Sequence, residues 1–198
     1  MEETERNDEE GGNPMRDVNT NIFNDKQATY TGLDAAFRIL IVDDSLADAE
    51  LITILMKNVQ HPHEEYVVQD ASEAIDFLHQ RGKYAKAPRP NLILLDINMP
   101  GMSGLELLSR VKQDLYINTI PVIMLSTTNS PEEVRRSYQL HANAFVQKAT
   151  DLDTAQRLIQ SIQGFWMNFA VLPPVEQKSA YCATMGRPHE PSTTVPSI

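Results

Sequence analysis

Side chains suited to phosphoryl chemistry follow four short apolar runs in this 198-residue chain. Asp43-Asp44 follows Arg38-Ile-Leu-Ile-Val42, and Asp96 follows Asn91-Leu-Ile-Leu-Leu95. Ser126-Thr127 follows Pro121-Val-Ile-Met-Leu125, and Lys148 follows Ala144-Phe-Val-Gln147. Carboxylates brought close together resist full ionisation, so three of them favour a divalent cation. Oxygen ligands alone suit Mg²⁺, which keeps several waters and takes one or two carboxylates together with phosphate oxygens. Lys148 supplies a mobile point charge for an anion once formed, and the Ser126 hydroxyl can hydrogen-bond that anion's oxygen. Such parts favour phosphoryl transfer, where catalysis is mostly positioning and charge neutralisation. Taken singly each piece is unremarkable: an Asp-Asp pair caps helices, a strand-end acid caps turns, and lysine is a common surface residue. Their coincidence after four buried runs carries the reading. No Walker loop, H-E-x-x-H helix or Ser-His-Asp order is present.

The elements that must position these groups alternate. The β-branched run ending at Val42 reads as a strand buried on both faces. Ser45 to Asn58 follows as a helix, with Ser45 as N-cap and Leu51, Ile54 and Leu55 on one face. Tyr66-Val67-Val68 is a weaker strand, nearer a sheet edge. Ser72 to Arg81 is helical through Ile75 and Leu78, with Gly82 to stop it. After the strand ending at Asp96, Ser103 caps a helix carrying Leu105, Leu108 and Val111. Ser130-Pro131-Glu132-Glu133 opens another, with a cap, a proline at the first position and a capping-box glutamate at Glu133. Ala144 to Gln147 is a fifth strand, and a last helix runs from about Leu152 toward Phe169. Five strands alternating with five helices describe an α/β fold, a doubly wound five-stranded parallel sheet with helices on both faces. Its crossovers put all the strand carboxyl ends on one edge, where open α/β sheets bind ligands.

Composition limits the function classes. The formal charge is −10, and residues 1–35 hold nine acids against three bases, so no basic face for nucleic acid is expected. Cys182 is the only cysteine, which excludes an internal disulfide. No segment approaches the ~20 apolar residues of a membrane span, and the acidic start is unlike a secretory signal; a cytoplasmic setting is the expectation. Residues 1–35 and 172–198 are too polar or proline-rich to bury a core and are expected to be disordered, leaving 36–171 as the folded unit. His61 and His63, beside Pro62, are placed in a surface loop rather than at a metal. Trp166, Phe165 and Phe169 are assigned to packing of the last helix.

At these residues the chain resembles the receiver domain of two-component response regulators. The resemblance rests on Ile39-Leu-Ile-Val-Asp43-Asp44-Ser45, on Leu92-Ile-Leu-Leu-Asp96-Ile-Asn98-Met99-Pro100-Gly101-Met102-Ser103-Gly104, on Pro121-Val-Ile-Met-Leu-Ser126 and on Ala144-Phe145-Val-Gln-Lys148. It implies a flavodoxin-like sheet of strand order 2-1-3-4-5, with Asp96 accepting phosphate from a histidine kinase or phosphotransfer protein. Asp43, Asp44, Asp96 and the backbone carbonyl of Asn98 would hold Mg²⁺. Ser126 and Lys148 would contact the phosphoryl group, with Phe145, Ser126 and Thr127 on the switch face. Pro100 and Gly104 are similar to the family's turn after the site. The loop Arg81-Gly-Lys-Tyr84-Ala-Lys-Ala-Pro88-Arg-Pro90 and the late Gly164-Phe-Trp166 resemble small stand-alone regulators associated with phytochrome-type kinases. The chain departs from the pattern at Ala149, where many receivers carry a cis proline. A non-proline cis bond costs about 2.5–4 kcal/mol, so a trans Lys148-Ala149 bond or a reshaped loop is predicted. Thr127 departs too, since a smaller residue is common there.

Output is expected through protein contact, with a homodimer or kinase complex using the face near the fourth and last helices. Two readings compete with this switch. An aspartyl-phosphate phosphatase or phosphotransferase would need an acid two residues after its nucleophile, where this chain has Asn98. A phosphorylation-independent binding module would have no use for the complete set of acids, hydroxyl and lysine. The chain is therefore read as a signalling switch and not as an enzyme acting on outside substrates.

Overall fold

The structure is a computed structural model that describes residues 36–57 and 61–173. Its elements alternate as β1 (Phe37–Val42), α1 (Leu46–Met56), β2 (His63–Val68), α2 (Ala71–Leu78), β3 (Leu92–Asp96), α3 (Gly104–Gln113), β4 (Val122–Ser126), α4 (Pro131–Gln139), β5 (Ala144–Gln147) and α5 (Leu152–Asn168). The strands form one parallel sheet of order β2-β1-β3-β4-β5, as expected. Of the two segments expected to be disordered, 1–35 and all but the first two residues of 172–198 lie outside the described residues.

Alternation along the central strands divides the interior in two. Leu40, Val42, Ile93, Leu95, Val122 and Met124 face Phe77 and Leu78 of α2 and Leu107, Leu108 and Val111 of α3. Their neighbours Ile39, Ile41, Leu92, Leu94, Ile123 and Leu125 face Ile52 and Leu55 of α1 and Ile159 and Ile162 of α5. A strand covered on both faces must be apolar at every position, which is why β1, β3 and β4 read as continuous runs.

Three helix starts are fixed by side-chain caps: Ser45 accepts from the Asp48 N–H, Asp70 from Glu73 and Asp151 from Thr154. A fourth, Ser103, forms a full capping box with Glu106. Helix α4 differs. Pro131 takes its first position, but Ser130 makes no side-chain cap bond, and the only buried residue of the helix is Ser137. The capping box expected at Ser130 and Glu133 does not form, because the Glu133 carboxylate is taken by the strand end beneath it.

Other expectations need correction. Ile54 is 57% exposed, and the buried stripe of α1 is Ala49, Ile52, Leu55 and Met56. The second helix is capped by Asp70 rather than starting at Ser72; it ends at Leu78, and Gly82, at φ 54°, opens a 3₁₀ turn instead of stopping it. His63 is the first residue of β2, and its ring pairs with Glu65 at 3.0 Å. Trp166 packs against the α1/α5 core, whereas Phe165 and Phe169 are exposed at 55% and 62%.

Candidate functional site

The carboxyl end of β1 places Asp43 in the interior, with no exposed surface. One carboxylate oxygen accepts from the Ser45 N–H at 3.0 Å, which ties the acid to the capped start of α1. The other accepts from Lys148 Nζ at 2.8 Å. Asp96 ends β3 and is 3% exposed. Its Oδ2 accepts from the Asn98 N–H at 2.7 Å, and its Oδ1 lies 2.6 Å from Lys148 Nζ. The ammonium makes a third ion pair, 2.8 Å to Asp48 Oδ2 on the first turn of α1. The Lys148 backbone N–H donates to the Ser126 carbonyl at 2.7 Å, locking the end of β5 to that of β4.

One ammonium therefore serves three carboxylates. Burial pushes the Asp43 carboxyl above its ordinary value, and the hydrogen bond and charge of Lys148 oppose that only in part. Burial alone would make Lys148 a weaker base. Its hydrogen bonds to Asp43, Asp48 and Asp96 outweigh that and raise it above the ordinary lysine value. The lysine is thus a fixed positive charge, and the pocket around it keeps a surplus of negative charge.

The loop after Asp96 is held tightly. The Gly104 N–H donates to the Ile97 carbonyl at 2.9 Å. A Cβ on Gly104 would stand 2.0 Å from the Asp96 carbonyl oxygen, so only glycine lets α3 start this close to the strand. Gly101 takes φ 77° in the same loop. All described peptide bonds are trans, Lys148-Ala149 included, as its sequence predicted.

The structure thus brings together Asp43, Asp96 and Lys148, and holds the Asn98 backbone against Asp96. Asp44 is exposed. Among the described residues no three Asp, Glu, His or Cys side chains are set out as a ready cation cage. The donor chemistry nevertheless suits a hard divalent ion. Mg²⁺ requires only one or two carboxylates beside water, and the pocket holds more acid than Lys148 neutralises. Ser126 is fully buried, and its Oγ donates to Glu133 Oε2 at 3.1 Å while accepting from the Thr128 N–H at 3.2 Å. Thr127 is exposed, and Phe145 is half-buried at the edge of the α2/α3 core, its N–H donating to the Tyr138 hydroxyl at 3.3 Å. Sequence reasoning missed Asp48 and gave Glu133 a different role. Asp48 stands in the first turn of α1, just after the strand end that carries Asp43, and that placement was the available signal.

Comparison with known proteins agrees with this geometry. Residues 39–162 match the response regulator receiver domain. Response regulator Rcp1 of Synechocystis sp. is 39% identical over 135 residues, which is 68% of this chain and 92% of that protein. The Mn²⁺-bound structure of Rcp1 superposes with a TM-score of 0.66 over 69% of this chain and 99% of that one. The phosphorylated cyanobacterial phytochrome response regulator RcpA is 40% identical, with a TM-score of 0.68 over 70% and 99% of the two chains. With its sheet order, its buried strand-end acids and its matching sequence in agreement, the chain belongs to the response regulator receiver domain family.

Proposed function

We propose that this protein takes a phosphoryl group onto Asp96 and signals through the resulting change at its β4–α4 and β5 surface. The buried Asp96 carboxylate, held at one oxygen by the Asn98 N–H and at the other by Lys148, is the observation that carries this reading. A carboxylate oxygen of Asp96 would attack phosphorus and the bond to the donor nitrogen of a phosphohistidine would break, giving an acyl phosphate. Lys148, fixed by Asp43 and Asp48, supplies a positive charge beside the incoming oxygens, so little reorganisation is needed as charge moves. Asp43, Asp44, Asp96 and the Asn98 carbonyl are the groups that would hold Mg²⁺, which neutralises phosphoryl oxygens when bound. Asn98 leaves the position of a general acid without one, which favours a stored acyl phosphate over turnover of outside esters.

Ser126 would bond a phosphoryl oxygen, with Thr127 and Phe145 as the neighbouring switch positions. The folded unit is taken as residues 36–171. The likeness to RcpA supports a histidine kinase, of phytochrome type, or a phosphotransfer protein as donor. A homodimer through the α4 and α5 side belongs to the same reading. Incubation with acetyl phosphate and Mg²⁺, read by intact-mass spectrometry, should add one phosphoryl group to the wild type and none to Asp96→Asn. Absence of the adduct on both proteins refutes the proposal.

A further inference from the structure

Helix α4 has almost no apolar anchor, since Ser137 is its only buried residue. What fixes its first turn is polar. Glu133 Oε2 accepts two hydroxyl bonds, from Ser126 Oγ at 3.1 Å and Thr128 Oγ1 at 2.9 Å. The Glu133 carbonyl also accepts from Ser137 Oγ at 2.8 Å, within the helix. Ser126, on the strand next to that of Asp96, is fully buried at the end of β4. A serine has a single O–H to donate, and here that proton is already committed to Glu133.

We infer that Glu133 is a positioning residue that sequesters the Ser126 hydroxyl, so that bonding to a phosphoryl group on Asp96 requires Ser126 to leave Glu133 and thereby frees the first turn of α4. This deepens the phosphoryl-acceptor reading and rests on it. One donor is exchanged between two anions, the Glu133 carboxylate and the phosphoryl oxygens. The same carboxylate would then face a second negative charge nearby, which disfavours its present place. Loss of the Ser126 and Thr128 bonds removes the polar ties that hold the helix start, so a change of one hydroxyl becomes a change of an element. Such a coupling is a bias between two arrangements, set by contacts that differ in each. Side chains that bond a carboxylate rather than water are worth enough for the bias to be measurable, about 3- to 10-fold in the level of acyl phosphate.

A double-mutant cycle tests this. Wild type, Glu133→Ala, Ser126→Ala and the double variant are phosphorylated with Mg²⁺ and an acetyl phosphate concentration low enough to leave most of the wild type unlabelled, and the steady-state acyl-phosphate level is read by intact mass. Glu133→Ala should raise the level about 3- to 10-fold when Ser126 is present and leave it unchanged in the Ser126→Ala background. Glu133→Gln keeps an acceptor without the charge, so it should raise the level less than Glu133→Ala, again only with Ser126 present. It serves in place of Glu133→Ala should that variant unfold in a urea melt. An equal effect in both backgrounds, or none in either, overturns the inference while leaving phosphorylation of the wild type intact. No label on the wild type would instead remove the acceptor reading itself.

Discussion

Replacing Gly104 by alanine pits two effects of opposite sign against one another. As the first residue of α3, Gly104 has no positive φ, so helix propensity alone favours alanine by about 1 kcal/mol. Space forbids it. The added Cβ would meet the Asp96 carbonyl oxygen at 2.0 Å and the Asp96 carbonyl carbon and Ile97 Cα at 2.9 Å. All three are backbone atoms, so no side chain can rotate away. The carbonyl contact alone is about an ångström short of the closest approach real Cβ atoms make. Relief means moving the start of α3 off the end of β3, which strains the Gly104–Ile97 bond. Overpacking costs about 1–3 kcal/mol, and a weakened hydrogen bond about 1 more. Set against the propensity gain, the net loss is about 2 kcal/mol. In urea that lowers the midpoint by roughly 1 M at a typical slope. Gly164, inside α5 with nothing within 4 Å of its Cβ position, is the control. Gly164→Ala should gain about 0.4–1 kcal/mol. The Gly104 variant should also accept phosphate more slowly, because the displaced backbone carries the Asp96 carboxylate. A Gly104→Ala midpoint equal to or above that of the wild type would refute the close-approach reasoning.

Lys148→Met leaves Asp43 and Asp96 buried without their cation, and should cost about 3 kcal/mol at pH 8. The loss should shrink as pH falls, because Asp43, already raised by burial, takes up a proton more readily than an ordinary carboxylate; a loss in melts that does not change as pH is lowered would contradict this. Asp48→Asn removes a partner whose side chain is 41% exposed, so stability should fall by less than about 1 kcal/mol. A larger loss in urea melts would show that Asp48 holds the ammonium more firmly than its exposure implies. Lys112 Nζ is held by the carbonyls of Asn118 and Ile120 and the amide oxygen of Asn143, and burial lowers its pKa from 10.5 to about 8. An unfolded lysine keeps its proton up to about 10.5 while the folded one releases it above about 8. The unfolded chain then binds more protons, so this group's contribution to stability rises with pH between those values. Urea melts across the window should show that rise in wild type and not in Lys112→Met.

The parts of the molecule legible in its sequence are those where one neighbour decides. Strands β1, β3 and β4 are covered on both faces, so their apolar runs admit one interpretation. Asp43, Asp96 and Lys148 follow from the same geometry, because parallel strands with crossovers put their ends on one edge. Ser103 caps α3 as expected, and Glu106, three residues on, completes the box. Glu133 has the same spacing from Ser130, yet its carboxylate goes to Ser126 and Thr128. A local pattern cannot weigh an acceptor's nearby backbone N–H against two hydroxyls brought by another strand. Asp48 was hidden for a related reason: an acid in a helix's first turn is already accounted for by the helix dipole. Ile54 reads as core by period, but α1 turns that position outward, toward neither half of the interior.

An α4 that is tied to the sheet by hydroxyls rather than by a greasy underside has a further consequence. Its outward residues, such as Glu132, Arg135 and Gln139, are exposed and contribute little to folding. Substitutions there should leave the domain folded, so the outer face of α4 can vary without loss of stability. Under the proposed switch, contact specificity and structural integrity would be written in different parts of the chain.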